Sequence, residues 1–98
     1  MATYTANIAK SITTVAAQVD TITLSGTGKV LSIIDKTGTT NTFFTTATVG
    51  GTPETPTVLG DDCYCVPVGK EFFLPWIGTG IVIKLINSGI STLTFQLL

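Results

Sequence analysis

Short apolar segments, separated by turn signals at regular intervals, constrain the fold of this chain more than any other feature. In most of these segments apolar and polar residues alternate, which is the period-two pattern of β-strands. The turn signals are Ser25–Gly28, Asp35–Gly38, Gly78–Gly80 and Asn87–Gly89. Such a pattern predicts one all-β domain over residues 1–98. We expect a single antiparallel β-sandwich (jelly-roll or Ig-like) or a small barrel, with about seven to eight strands.

The stretch Gly60–Trp76 contains both cysteines and the only tryptophan of the chain. In its first half, alternation places Tyr64 and Val66 on one face of a strand and Cys63 and Cys65 on the other. Both faces are apolar, so both should be buried against other residues. We expect one face in the core and the other against a second sheet edge, the N-terminal segment or a neighbouring subunit.

The second half of this stretch follows a Pro67–Gly69 corner and predicts a second strand, so that the two form an apolar hairpin. Phe72 and Leu74 share one face of this strand, and Phe73 points the opposite way. We expect Phe73 to be covered by a partner, so that Phe73→Ser weakens assembly more than folding.

Two other turn signals are short enough to predict hairpins between the strands that flank them. They are Asp35–Gly38 and Asn87–Gly89. In each case we expect the two flanking strands to be paired directly.

The N-terminal segment mixes threonine with small apolar residues. Ile8, Ile12 and Val15 have helical spacing, but frequent threonine and the lack of Glu and Leu favour extended chain. We expect an N-terminal arm over residues 1–17, the kind of segment that reaches a neighbouring molecule.

The segment 47–59 contains two adjacent glycines and two prolines. Proline is not tolerated in an interior strand, so this segment predicts a loop of about a dozen residues. A loop of this length is either a partner contact or plain surface.

Charge and hydropathy argue against two classes of partner, nucleic acid and membrane. The net charge is −1, and the chain has five lysines, no arginine and no histidine. Nucleic-acid binding needs clustered cations, so we expect no direct nucleic-acid partner. No apolar run reaches the roughly 18 residues of a membrane span, and the first residues lack the features of a secretory signal. We expect no membrane partner and synthesis in a cytosol, unless a signal was removed before this numbering begins.

Cys63 and Cys65 are separated by one residue. On a strand their side chains lie about 7 Å apart, too far for a disulfide within the pair. A zinc site would need two further ligands, and the chain has no histidine. We expect small packing residues, with an intersubunit disulfide as the alternative, and no metal or cofactor.

Acid–base chemistry would depend on the six carboxylates alone. Asp61 and Asp62 are adjacent, but they lack the repeated Asp pattern of a calcium loop. The cysteines have no imidazole to activate a thiolate. We therefore expect no enzyme; a hydrolase would have to use Asp61, Asp62 or Glu71.

The surface must be poor in charge, because charged residues make up 11% of the chain and about one residue in five is threonine. Soluble domains usually contain about 25% charged residues. Such a surface is weakly protected against association. We expect a homo-oligomer; the alternative is a monomer with a threonine-rich exterior.

Several motifs carry a resemblance to a known class of proteins. They are Asp35-Lys-Thr-Gly38, Phe43-Phe44, Pro56-Thr57, Gly60-Asp-Asp-x-Tyr64-x-Val66-Pro67-x-Gly69 and Lys84-Leu-Ile86. In this order they resemble the small β-sandwich accessory proteins of tailed bacteriophages, head decoration proteins among them, over residues 19–97. The resemblance implies a virion protein, made in the host cytoplasm, that binds the capsid lattice or another virion component, often as a trimer.

Residues and resemblance together predict a non-enzymatic virion structural protein, most readily a capsid decoration protein that binds the major capsid protein. The alternative is a carbohydrate- or receptor-binding module of a tail or fibre, because exposed aromatic residues would also serve that purpose. The candidate interface residues are Tyr4, Ile8, Cys63, Cys65, Phe73 and Trp76.

Overall fold

A computed structural model describes the backbone of residues 1–98 and every side chain except that of Ile77. The described chain is all-β. Its strands are β1 (Thr3–Ala6), β2 (Ala9–Thr13), β3 (Asp20–Leu24), β4 (Gly28–Gly38), β5 (Thr42–Ala47), β6 (Tyr64–Val66), β7 (Glu71–Gly78), β8 (Ile81–Asn87) and β9 (Ser91–Leu97). The described residues include no helix long and apolar enough to cross a membrane.

The strands form two packed sheets, and the first strands pair with the last. The five-stranded sheet has the order β1-β3-β8-β5-β6, and the four-stranded sheet has the order β2-β9-β4-β7. The antiparallel pairs β2 with β9, β3 with β8, β4 with β7 and β5 with β6 are thus nested one inside the next. This nesting is the strand order of a jelly roll. The all-β sandwich prediction is confirmed, in its jelly-roll form, but with nine strands instead of seven to eight, because residues 1–17 contribute two.

Neither of the two short turn signals forms a hairpin. Asp35–Gly38 lies inside β4, where Thr37 pairs with Thr92 of β9 after a bulge. Asn87–Gly89 leads from β8 in one sheet to β9 in the other. Both hairpin predictions are wrong. The chain stays in strand conformation through Asp35–Gly38 and crosses to the other sheet at residues 39–41, and at Asn87–Gly89 it also crosses between the sheets.

The Pro67–Gly69 corner is also an arch. The amide of Lys70 donates to the carbonyl of Pro67 at 3.1 Å, and the chain passes from β6 at the edge of one sheet to β7 at the edge of the other. The hairpin predicted here is wrong, whereas the facial alternation is confirmed. Val66 is fully buried, and Phe72 and Leu74 pack against the core.

The segment predicted as an N-terminal arm forms two strands of the sandwich. β1 runs parallel to β3, and β2 pairs antiparallel with β9. Ile12 on β2 is buried, and Tyr4 on β1 packs against the core. Because these apolar side chains pack into the core, the segment is part of the sandwich and does not project from it as an arm.

The core fills the space between the sheets with inward residues from both. It consists of Ile12, Ile22, Leu24, Leu31, Ile33, Phe44, Val66, Ile81, Ile83, Leu85, Leu93, Phe95 and Leu97. Phe44 stacks on Tyr64 with ring centroids 5.2 Å apart and meets Phe72 edge-on at 5.4 Å. These three rings close the sandwich along the side where β6 and β7 are the edge strands.

The connection between β5 and β6, residues 48–63, lies against the β5 side of the outer face of the five-stranded sheet. Pro53 and Pro56 in this connection are buried, and the hydroxyl of Thr45 donates to the carbonyl of Glu54. Phe43 points to the outer face and is nevertheless only 7% exposed. The chain itself therefore covers the β5 part of this outer face, whereas no comparable connection lies on the outer face of the four-stranded sheet among the described residues.

Candidate functional site

The outer face of the four-stranded sheet, called the open face below, is made of the outward residues of β2, β9, β4 and β7. Alternation along each strand and the strand register place them in rows. They are Ala9, Ser11, Thr13, Val30, Ser32, Ile34, Glu71, Phe73, Pro75, Thr92, Thr94 and Gln96. The exposed charged side chains described on these strands lie toward its margin, with Glu71 on the edge strand β7, Lys36 at the bulge of β4 and Lys29 at the start of β4.

Hydroxyl pairs cross the open face between β2 and β9. The oxygens of Ser11 and Thr94 are 2.8 Å apart, and those of Thr13 and Thr92 are 3.2 Å apart. Because these hydroxyls bond to one another, they keep hydrogen-bond partners when a partner molecule removes the surrounding water. This half of the face combines a polar composition with a low desolvation cost.

Apolar groups occupy the other half of the open face. Phe73 is 54% exposed and pairs across the strands with Ser32. Val30 and Ile34 are half-buried, and Pro75 is exposed. Ser32 itself is only 4% exposed, so the Phe73 ring next to it is the exposed apolar group of this pair. Exposed aromatic rings with this setting are typical of protein interfaces.

The six candidate residues predicted from sequence do not form one surface. Phe73 alone lies on the open face. Trp76 points inward, where its Nε1 donates to the carbonyl of Gly80 at 2.9 Å and its ring packs against the core. Tyr4 also packs against the core, with the Nζ of Lys10 5.6 Å from its ring centroid. Ile8, 48% exposed, lies in the link between β1 and β2.

Both cysteines are free thiols and half-buried. Cys65 pairs with Phe43 on the outer side of the five-stranded sheet, far from Phe73 in the strand order. Burial raises the pKa of the Cys65 thiol, which disfavours the reactive thiolate at neutral pH. This environment agrees with the packing role expected for Cys65.

Sequence reasoning missed most of the open face. Thr92, Thr94 and Gln96 are its central row on β9, and the alternation of β9 alone marks them as outward. The alternation could not show that no other segment of the described chain lies over these three residues. That distinction depends on the path of residues 48–63, which lie against the other sheet.

Each of the four edge strands has a feature that disfavours pairing with another strand. β1 has four residues and β6 has three, which is short for an added strand. β2 carries the inward-facing Lys10, and β7 contains Pro75, which has no N–H to donate. Short edges, inward charges and proline are the devices that protect edges in natural sheets. Association through a face is therefore favoured over association through an edge.

Two aspartates are buried at the end of the sandwich. Asp20 accepts hydrogen bonds from the Ala2 amide at 3.1 Å and the Gln18 side chain at 2.7 Å. Asp35 is 2% exposed, and neither carboxylate oxygen has a hydrogen-bond partner among the described residues. Burial raises the pKa of Asp35, and the nearby N–H of Gly69, outside hydrogen-bond geometry, offsets only part of this effect.

The described residues include no group of three or more Cys, Asp or Glu side chains able to hold a metal ion. Asp61, Asp62 and Glu71, the residues that a hydrolase would have to use, are all exposed. Glu71 lies on β7 of the four-stranded sheet, whereas Asp61 and Asp62 precede β6 of the other. The three are thus divided between the two sheets.

Searches for similar proteins found no matching family model, no matching curated protein and no matching solved structure.

Proposed function

We propose that this chain is a non-catalytic structural protein of a virion that associates with a second copy of itself through the open face. The observation that supports this role is the uncovered sheet face around Phe73, where the charged side chain on β7 is Glu71, two residues from Phe73. Self-association supplies the building unit, and the assembled unit binds the capsid lattice as a decoration protein.

Charge supports a second copy as the occupant of the open face. Two like faces meet without repulsion when their centres carry no charge, and the charged Glu71 and Lys36 lie at the margin. A strongly charged partner would gain nothing from such a surface. The edge strands disfavour pairing, which also favours contact through the open face.

The largest side of the body is about the size of a standard interface. The body measures 31 × 23 × 23 Å and has 5015 Å² of accessible surface. A 31 by 23 Å side is about 18% of the surface of such a box, or about 900 Å², which is the upper limit of what the open face can bury, and a standard interface buries about 800 Å² per partner. A face that pairs with itself is isologous and gives a two-fold dimer, in place of the trimer that the resemblance implies.

The virion part of the proposal rests on analogy at the level of fold. Jelly rolls of eight strands are the architecture of many viral capsid domains and also of lectins. The resemblance of the turn and strand motifs to phage accessory proteins selects the first of these. The lectin alternative makes a different prediction, namely retention on a glycan.

Light scattering after size exclusion tests the self-association. We expect a mass near twice the 10.2 kDa of the chain at high micromolar concentration. Phe73→Asp places a charge in the apolar half of the open face and should give a monomer. Ile90→Asp is the matched control, because Ile90 is 64% exposed but lies on the β8–β9 arch, and it should remain dimeric. A monomeric wild-type protein, a trimer, or a dimeric Phe73→Asp variant would contradict the proposal.

Co-sedimentation tests the virion role. The protein should sediment with assembled capsids of the phage that encodes it and not with isolated tails. Binding to a glycan array, together with failure to sediment with capsids, would instead favour the carbohydrate-binding alternative.

A further inference from the structure

The β5 strand is longer than β6, the strand that pairs with it on one side. β6 pairs only with Thr42–Phe44, and β5 continues to Ala47. Among the described residues, no backbone hydrogen bond joins positions 45–47 to the 48–63 connection. Alternate residues of an antiparallel strand point their N–H and C=O groups to opposite sides. This end of β5 therefore has backbone groups that face a vacant strand position.

A hollow lies beside this vacant position. It has a volume of about 190 Å³, several times the ~30 Å³ of one water molecule. Its lining is mostly polar and consists of Thr45, Thr46, Glu54, Asp62 and Tyr64. The bond from the Thr45 hydroxyl to the carbonyl of Glu54 holds the connection at the outer side of the hollow.

The hollow is acidic. Glu54 and Asp62 are both exposed carboxylates in its lining, and the lining contains no lysine. Two carboxylates are too few for calcium, which takes about six to eight oxygen ligands. They suit an ammonium group, which has three donors and one positive charge.

A stacked sugar is less well served by this hollow. Tyr64 is its only aromatic residue, and the ring already stacks on Phe44 at 5.2 Å and leans on Phe72 at 5.8 Å. The unpaired backbone of β5 and the acidic lining both fit an extended basic segment better.

We propose that this hollow binds a short extended segment of a partner protein that contains lysine. The segment adds beside the last residues of β5 as a further short strand, with backbone hydrogen bonds to this edge. Its lysine ammonium reaches Glu54 and Asp62. This site is on the other sheet from the open face, so a dimer formed through the open face would leave it accessible.

Amide NMR of the ¹⁵N-labelled protein tests the proposal, with acetyl-Thr-Lys-Thr-Lys-Thr-amide as the probe. We expect saturable shifts at Thr45–Ala47 and Tyr64, and weaker binding at higher salt. Acetyl-Thr-Glu-Thr-Glu-Thr-amide, with the same backbone and opposite charge, should give no saturable shift.

A double variant separates the hollow from general acidity. Glu54→Gln with Asp62→Asn should lower the affinity for the lysine peptide at least fivefold. Asp61→Asn with Glu71→Gln changes the net charge by the same amount outside the hollow and should leave the affinity within twofold. Equal loss in both double variants, equal binding of the glutamate peptide, or no saturable shift would overturn the proposal. So would shifts at the same amides produced by free monosaccharides but not by the lysine peptide.

Discussion

The side-chain amide of Asn87 donates a hydrogen bond to the hydroxyl of Ser91 at 3.0 Å, across the β8–β9 arch. The carbonyl of Thr40 at 3.0 Å and the hydroxyl of Thr42 at 2.8 Å lie within hydrogen-bond distance of the same nitrogen, so its two N–H groups are shared among three acceptors. Asn87 is fully buried, so it joins two arches inside the end of the sandwich. One side chain thus holds the connections β4–β5 and β8–β9 in place.

Asn87→Ala should destabilise the fold by about 2 to 4 kcal/mol, because it leaves several buried polar groups without partners at ~1 to 3 kcal/mol each. Urea unfolding followed by circular dichroism measures this change. Ser88→Ala is the control, since Ser88 is exposed on the same arch and should change stability by less than about 0.5 kcal/mol. A loss for Asn87→Ala as small as that of the control would show that the network contributes little.

The buried carboxyl of Asp35 should make the free energy of unfolding depend on pH. Stability should fall as the pH rises above about 3.9, the pKa of free aspartate. Its pKa is raised in the folded state by burial. Above the unfolded pKa and below the folded one, the unfolded state binds fewer protons, so stability falls with pH. Asp35→Asn removes this slope and should be more stable than wild type at pH 7. Denaturant unfolding of both proteins between pH 3.5 and 7 gives the difference. The idea fails if that difference does not change with pH. Asp61→Asn, at an exposed carboxylate, is the control.

Phe73→Ser should change folding stability by less than about 1 kcal/mol while it weakens dimer formation, since Phe73 is 54% exposed in the single chain. Phe44→Ala, at a fully buried ring, should cost about 3 to 5 kcal/mol. Unfolding at low protein concentration separates the folding term from the association term. A loss of several kcal/mol for Phe73→Ser in the monomer would place Phe73 in the core and contradict the interface assignment.

Gly80→Ala should destabilise more than Gly69→Ala, although both glycines have positive φ, 102° and 69°. A Cβ at Gly80 would lie 2.7 Å from Val49 Cγ2 and 3.2 Å from Ser25 Cα, whereas one at Gly69 would meet nothing within 4 Å. Gly69→Ala therefore reports the backbone cost alone, about 1 kcal/mol. Thermal unfolding of the two variants should differ by at least a further ~1 kcal/mol, and equal values would contradict the close approach at Gly80.

The period-two pattern correctly assigned the faces of individual strands. Val66 is inward, and Phe73 is outward, as the alternation predicted. The prediction works because successive side chains on a strand point to opposite faces whatever the strand pairs with. The predicted loop over 47–59 follows similarly from proline and glycine, and it lies within the 48–63 connection.

Strand pairing could not be predicted in the same way. The consecutive strands β5 and β6 pair across the longest connection, whereas the strands on either side of Asn87–Gly89 lie in different sheets. A turn of a few residues can serve a hairpin or an arch, and the choice depends on which arrangement buries both apolar faces at once. That condition involves the whole chain rather than the turn.

By itself the sequence determined the all-β class, the faces of the strands and a surface poor in charge, since these follow from local alternation and composition. The tertiary structure decided which outward residues stay uncovered. Phe43 and Phe73 both point outward from their sheets, but the 48–63 connection covers Phe43 and leaves Phe73 exposed. Burial of an outward side chain depends on contacts with residues distant in the chain, which no local pattern encodes.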